Sequence, residues 1–298
     1  MSRANIQIAS LPTAAIGVIL AAQNWKDIAD ISVLLYVLLF FLILTYACNI
    51  NCISDVEVDQ KFKRYMSEAV RAFKPKTLKR VIFVEIILIL LLASLLCIIK
   101  QDVIFSVSLF GLLCGYAYST PPLRIKKRGV FSPFPVMIGL YFFPLVFGWF
   151  IVAEDISIFI LLFALGYALI MQGITFLNTC EDFTEDKSSD ITTLAHILGL
   201  NKILKLASLA VASGGILVMA TLSLNRWERL FNNPVLLPII AVGLLFLAGT
   251  LIYISRTLYI LSQSDQAELE CKKHSGKMRR WFLSIRYPLF VIALLLVP

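Results

Sequence analysis

Apolar runs of bilayer-crossing length recur from one end of this chain to the other, and nothing else in the sequence limits its fold so strongly. A helix of roughly 18–20 apolar residues crosses the hydrocarbon of a membrane. Nine such runs can be drawn, at about 6–23, 31–53, 80–99, 103–120, 131–152, 156–179, 202–223, 234–260 and 280–298. They are continuously apolar rather than alternating, which excludes a membrane β-barrel and leaves the helix as the way to satisfy the backbone in lipid. Of the 298 residues, 59% are hydrophobic and 15% are charged, values above and below those of a soluble domain. The expected fold is all-α and polytopic, with nine transmembrane helices in a single domain covering 1–298. No small-residue cleavage site follows the first run, so it reads as a retained span.

The basic residues test that count. With the N-terminus in the cytoplasm, 20 of the 27 Lys and Arg residues fall on one side, among them Arg3, Lys61 to Arg80, Arg124 to Arg128, Lys187 and Lys272 to Arg280. Only Lys26, Lys100, Arg226 and Arg229 fall on the other, and Lys205, Arg256 and Arg286 lie inside runs. This split follows the positive-inside rule and predicts a cytoplasmic N-terminus and a C-terminus on the opposite side. It also explains the net charge of +8 without nucleic acid as a partner.

Against this background two acidic patterns stand out: Asn51-x-x-x-Asp55-x-x-x-Asp59, and Asn178-x-x-x-Asp182-x-x-x-Asp186 followed by Asp190. Five of the ten aspartates fall in these windows, each at the end of an apolar run, where a carboxylate is costly without a partner or a task. Spacing of four puts Asn51, Asp55 and Asp59 on one helical face, and likewise Asn178, Asp182 and Asp186. Both patterns end runs that travel inward, so both open on the cytoplasmic face. Two facing sets of oxygens suit Mg²⁺ ions bridging a diphosphate, since Mg²⁺ needs only one or two carboxylates per ion. The separation of the motifs matches pseudo-repeat halves at about 1–130 and 131–260, plus a ninth helix at about 280–298.

Basic side chains near these motifs are candidates for gripping phosphate, namely Arg64, Lys61 and Lys187; most of the 20 cytoplasmic-side cations are simply anchors. The segment Tyr118-Ser-Thr-Pro-Pro-Leu-Arg124 stops its helix at the Pro pair and holds a tyrosine and a guanidinium near the same face. Tyr118 and Arg124 are thus candidate diphosphate or acceptor contacts. Tyr141, Phe142, Phe143, Phe147, Trp149 and Phe150 are packing aromatics or the lining of an apolar tunnel. The six cysteines form no metal-ligand or disulfide pattern, and Cys48 and Cys52 read as apolar fillers. His196 and His274 show no metal-ligand spacing.

These residues resemble the UbiA superfamily of intramembrane prenyltransferases. Asn51-Cys-Ile-Ser-Asp55-Val-Glu-Val-Asp59 is similar to its first motif, and Asp182-Phe-Thr-Glu-Asp186-Lys-Ser-Ser-Asp190 to its second. Tyr118 to Arg124 resembles the Tyr-Ser-x-Pro-Pro-x-Lys/Arg segment of the branch that includes chlorophyll synthases. The resemblance implies nine helices around a central cavity and Mg²⁺-dependent transfer of a polyprenyl group from its diphosphate to an acceptor at the membrane interface. Cys52 stands where the family often has a second acidic residue, and the Arg-Pro-x-x-Ser-Gly segment that often follows is absent. Asn51, Asp55, Asp59, Asn178, Asp182 and Asp186 are then the expected metal ligands, with Asp190 and Tyr118 the expected catalytic groups. The competing reading is an ion-coupled secondary transporter using the same carboxylates. The acceptor, prenyl length and oligomeric state are not legible in the sequence.

Overall fold

The computed structural model describes residues 4–100, 103–225 and 235–297. Arg3, Arg226 and Arg229, which entered the charge count, and the last residue of the ninth run lie outside them. The described residues are almost wholly helical. The chain runs through α1 (Ala4–Ala21), α2 (Trp25–Ala29), α3 (Ile31–Ser54), α4 (Val56–Phe62), α5 (Arg64–Arg71), α6 (Pro75–Ile99) and α7 (Val103–Ser119). It continues through α8 (Phe134–Val136), a π-helical turn over Met137–Phe142, α9 (Phe143–Phe150), α10 (Ile158–Glu181), α11 (Phe183–Lys187) and α12 (Leu194–Leu198). The last three helices are α13 (Leu200–Asn225), α14 (Leu236–Leu261) and α15 (Ala267–Leu295).

Among the described residues, five helices are long and apolar enough to cross a membrane: α3, α6, α10, α13 and α14. Three shorter apolar stretches, Ser10–Ala21, Val103–Ser119 and Phe134–Phe150, lie at the first, fourth and fifth predicted runs. Helix starts follow local chemistry. Asp30 caps α3 by accepting the Ser32 N–H at 2.8 Å, Ser157 caps α10 through Phe159, and α6 opens on Pro75, whose fixed φ suits a first turn.

Two departures from the sequence reading have simple causes. The fifth run is not one α-helix. Pro144 offers no N–H and crowds the carbonyl four residues back, and the preceding turn widens into π geometry instead. The ninth helix starts at Ala267, well before residue 280, so the basic segment expected as a loop is helical. Its polar turns carry Glu268–Lys272 and Glu270–Lys273 pairs at helical spacing.

The helices close a ring. α1 packs on α9, α3 and α15; α3 packs on α6 and α7; α10 packs on α13 and α15. Two apolar clusters fill the ring, and α1 faces both, with Ile16 and Leu20 in one and Ala14 and Val18 in the other. α10 is the inner helix: 67% of its apolar window is buried, against 22% for α6. Its contact with α13 needs small residues. A Cβ on Gly166 would meet the Gly214 carbonyl at 2.9 Å, and one on Gly173 the Ala207 carbonyl at 2.7 Å. One exception to the all-α expectation is a two-residue parallel pairing, β1 (Arg128–Gly129) with β2 (Thr192–Thr193). It ties the loop after the Pro pair to the loop after the second acidic motif.

Candidate functional site: two acidic motifs around one cavity

Each acidic motif sits on a helix that breaks at its middle carboxylate. α3 ends and α4 begins at Asp55 (φ −103°, ψ 5°), and α10 ends and α11 begins at Asp182 (φ −87°, ψ 9°). The backbone ladder survives both breaks. Asp55 N–H donates to Asn51 O at 3.0 Å and Asp59 N–H to Asp55 O at 2.8 Å; Asp182 N–H donates to Asn178 O at 3.1 Å and Asp186 N–H to Asp182 O at 2.8 Å. The spacing of four that defines the motifs therefore holds through the bend, and one face of each strip stays together.

All six predicted ligands, Asn51, Asp55, Asp59, Asn178, Asp182 and Asp186, line one cavity of about 590 Å³, as does Tyr118. Of the cations that meet them, Arg124 is a candidate from the sequence, whereas Lys126 and Lys63 are not. Lys126 Nζ binds an oxygen of Asp55 and donates to Asn51 Oδ1 at 3.0 Å, where Ser119 Oγ also donates at 3.0 Å. Arg124 Nη2 reaches Asp55 Oδ1 at 3.2 Å and the Ser54 carbonyl at 3.3 Å. Its backbone is left-handed, at φ +37°, and its Nε is buried without a hydrogen-bond partner. Lys63, four residues past Asp59, binds Asp182 Oδ2 at 3.1 Å, the oxygen that also accepts Asn178 Nδ2 at 3.1 Å.

The second motif is braced from outside the cavity. Phe183 stacks on His196 with ring centroids 4.3 Å apart. His196 Nδ1 accepts the Thr193 N–H at 3.1 Å, which leaves Nε2–H to donate to the Phe183 carbonyl at 2.9 Å. Thr184 Oγ1 donates to Glu268 Oε2 at 2.6 Å, fixing α11 to α15. His196, which lacks metal-ligand spacing, is thus a brace for the residues flanking Asp182.

The other candidates lie elsewhere. Arg64 is exposed and pairs with Glu68 at 2.7 Å. Lys61, Lys187 and Asp190 are exposed, and Asp190 holds a left-handed backbone at φ +55°. None of these four, nor Arg124, lines the cavity.

Electrostatics differ along the second motif. Burial, then the neighbouring charges of Asp182 and Glu185, pushes the Asp186 carboxyl up to about 7, with Lys63 and Lys126 pulling the other way. Burial and the adjacent Arg124 depress Lys127, against the opposing pull of Asp190, Asp55 and Asp186. Crowded carboxylates of this kind gain from a cation. Among the described residues no three His, Cys, Asp or Glu side chains form a ready metal cage. The donor set is nonetheless that of Mg²⁺, which keeps waters and takes one or two carboxylates, completing its shell on substrate phosphates.

A second cavity of about 420 Å³ opens from the first, sharing Asn51, Tyr118, Val136, Thr175 and Asn178. Its walls are mostly apolar, from Phe40, Ile43 and Leu44 on α3 to Leu140 and Tyr141 of the π turn and Phe282 on α15. A narrower recess of about 50 Å³ shares Phe40, Ile43, Gly111 and Gly139 with it and reaches Phe143 and Phe147. Part of the aromatic cluster therefore faces the cavities, while Trp149 Nε1 instead donates to the Asp155 carbonyl at 2.9 Å. Arg286, 3% exposed, meets Tyr167 Oη and Ser10 Oγ at 3.2 Å each and lies 5.0 Å from the Phe282 ring centre. It links α15 to α10 and α1.

Comparison with known proteins places this geometry in context. The sequence model of the UbiA prenyltransferase family matches residues 10–282. The bacteriochlorophyll synthase 33 kDa chain of Cereibacter sphaeroides is 32% identical over 123 residues, 40% of this chain and 39% of that protein. A probable chloroplastic homogentisate phytyltransferase 2 of Oryza sativa subsp. japonica is 26% identical over 220 residues, 67% of this chain and 54% of that protein. The chain thus spans about half or less of these relatives' lengths. Two solved structures share the fold. The apo UbiA homologue from Aeropyrum pernix K1 has a TM-score of 0.68 at 15% identity, covering 98% of both chains. The UbiA homologue from Archaeoglobus fulgidus bound to DMAPP and Mg²⁺ has a TM-score of 0.64 at 16% identity, covering 97% of both.

Proposed function

Because the chain belongs to the UbiA prenyltransferase family, we propose that it moves a polyprenyl group from an allylic diphosphate to an acceptor and releases diphosphate. The observation that carries this reading is the convergence of both acidic motifs on one polar cavity that opens into an apolar one. An allylic diphosphate has the same division, with a charged head and a hydrocarbon tail.

Asn51, Asp55 and Asp59 from one side, and Asn178, Asp182 and Asp186 from the other, would hold Mg²⁺. The ions, when bound, supply Lewis-acid neutralisation of the departing diphosphate. Lys126 and Lys63 line the cavity against the two middle aspartates, where each can meet phosphate oxygens as a point charge, and Arg124 holds Asp55 without lining the cavity itself. Exposed Arg64, Lys61 and Lys187 add positive potential that draws the anion in. The apolar cavity takes the prenyl chain and keeps water from the allylic carbon, with Tyr118 at the junction of the two spaces. Asp190 remains the proposed group for orienting or deprotonating the acceptor.

The chain is an integral membrane protein. Nine spans in one domain of two pseudo-repeat halves plus a ninth helix are part of the proposal, supported by the matching backbone break at Asp55 and Asp182. So are a cytoplasmic N-terminus, an opposite C-terminus and a site facing the cytoplasm, supported by the charge split. The test is incubation of reconstituted protein with labelled prenyl diphosphates and an acceptor panel, with and without Mg²⁺, followed by mass identification of product. Mg²⁺-dependent prenylation supports the reading. Proteoliposome uptake with no diphosphate release would favour the transporter.

A further inference from the structure

We propose that the first turns of α6 hold the phosphate of an anionic phospholipid, on a face where three cations run directly into an exposed apolar stripe. The site is independent of the transferase reading and needs only that α6 crosses the membrane. Arg71, Lys74, Lys76, Lys79 and Arg80 place five cations in ten residues, with no acidic residue between Glu68 and Glu85. All five are exposed. Among the described residues, Lys74, Lys76, Lys79 and Arg80 make no ion pair.

Other basic segments differ. On α15, Lys272 and Lys273 are matched by Glu268 and Glu270; Lys100 is matched by Asp30, and Lys126 by Asp55. A density of four or more cations just outside a span, with no carboxylate to neutralise them, suits the negative surface of an anionic bilayer.

The helix sets the geometry. Lys76, Arg80, Phe83, Ile87 and Leu91 follow one another at intervals of four, three, four and four residues, so they share one face, and Lys79 sits at its edge. Phe83 is 64% exposed and Leu91 63%. The opposite face is buried through Glu85, Ile89, Ala93 and Leu96, which removes Glu85 from the cations. From Phe83 to Leu91 the axis rises about 12 Å, close to the roughly 15 Å of one hydrocarbon leaflet. A lipid whose phosphate meets Lys76, Lys79 and Arg80 therefore lays its acyl chain along Phe83, Ile87 and Leu91. Arg80 can fork two phosphate oxygens, and the lysines act as point charges. A soluble polyanion such as RNA would use the cations and leave the apolar stripe without a role.

The experiment uses full-length protein in neutral detergent, offered equal amounts of phosphatidylglycerol and phosphatidylcholine with matched acyl chains. Retained lipids are counted by native mass spectrometry. The wild type should retain phosphatidylglycerol about tenfold or more over phosphatidylcholine at low salt, and the preference should fall toward parity at high salt. The triple variant Lys76→Gln, Lys79→Gln, Arg80→Gln should bring it to within about twofold at low salt, with helicity by circular dichroism unchanged. The double variant Lys76→Arg, Lys79→Arg should keep it. So should a control that removes as many charges from α15, namely Lys273→Gln, Lys277→Gln and Arg280→Gln. No preference in the wild type, or an undiminished one in the triple variant, overturns the proposal. Equal loss in the α15 control overturns it too, by showing diffuse charge alone. Displacement of phosphatidylglycerol from the wild type by equal concentrations of inorganic phosphate or a short RNA duplex would make a soluble anion the occupant and also overturn it. The salt and competition arms use the wild type and decide the matter without the triple variant.

Discussion

At Asp55 and at Asp182 a long helix ends on the middle carboxylate and a short helix carries the last one, yet the cations that meet them differ in origin and in burial. Asp55 is clamped by Arg124 and by Lys126, whose side chain is 10% exposed. Asp182 is held across the cavity by Lys63, 39% exposed, and by its own Asn178. Asp55 is neutralised by one buried and one part-buried cation, while the second motif keeps an acidic surplus at Asp186. One backbone design thus serves two electrostatic states: one matched by paired cations, the other in want of a cation.

Substitutions at each motif test that contrast. The largest effect belongs to the middle carboxylates. Asp55→Ala and Asp182→Ala should each lower turnover on the order of 10²–10³-fold or more while the protein still assembles in membranes, as measured by product formation on quantified protein. Equal losses would mean that the motifs share one ligand despite their different clamps. Lys126→Met comes next. It removes a buried cation from Asp55 and Asn51 and should raise the KM for prenyl diphosphate about 10–100-fold. Lys63→Met should cost about tenfold or less, because its half-exposed pair is screened by solvent. A larger loss at Lys63 than at Lys126 would reverse the comparison.

The acidic surplus at Asp186 gives a pH signature. Its carboxyl is raised from the ordinary value of 3.8 to about 7 in the folded protein, so between those two pH values the folded form holds a proton the unfolded chain has released. The sign follows: stability from this group declines as pH rises toward 7, and metal must displace the proton below it. Mg²⁺ affinity in the presence of prenyl diphosphate should therefore tighten between pH 6 and 8, by up to about tenfold per unit below 7. Asp186→Asn should flatten that dependence, as read by metal titration. The smallest effects belong to the exposed cations. Arg64→Ala, Lys61→Ala and Lys187→Ala should change the donor KM by only about two- to threefold, and the change should vanish at high salt.

Legibility in the sequence followed the cost of placing a group in the membrane. A carboxylate at the end of an apolar run is conspicuous, and all six motif residues meet at one cavity. Lys63 and Lys126 were hidden for the opposite reason: they sit among many other Lys and Arg residues between the apolar runs, and only tertiary contact separates a clamp from an anchor. The tyrosine of the Pro-Pro segment reached the cavity, whereas its arginine turned to Asp55 through a left-handed backbone that no spacing rule announces. The early start of α15 was missed because a polar amphipathic helix near a membrane reads as loop by hydropathy alone.

The central claim is that both acidic motifs grip one metal-diphosphate group. Calorimetric binding of prenyl diphosphate with Mg²⁺ to the wild type, Asp55→Asn, Asp182→Asn and the double variant tests it most directly. If the motifs act as one site, the double variant loses little more than either single variant, leaving a large coupling energy in the cycle. Losses that simply add, or a single variant that binds like the wild type, would contradict it.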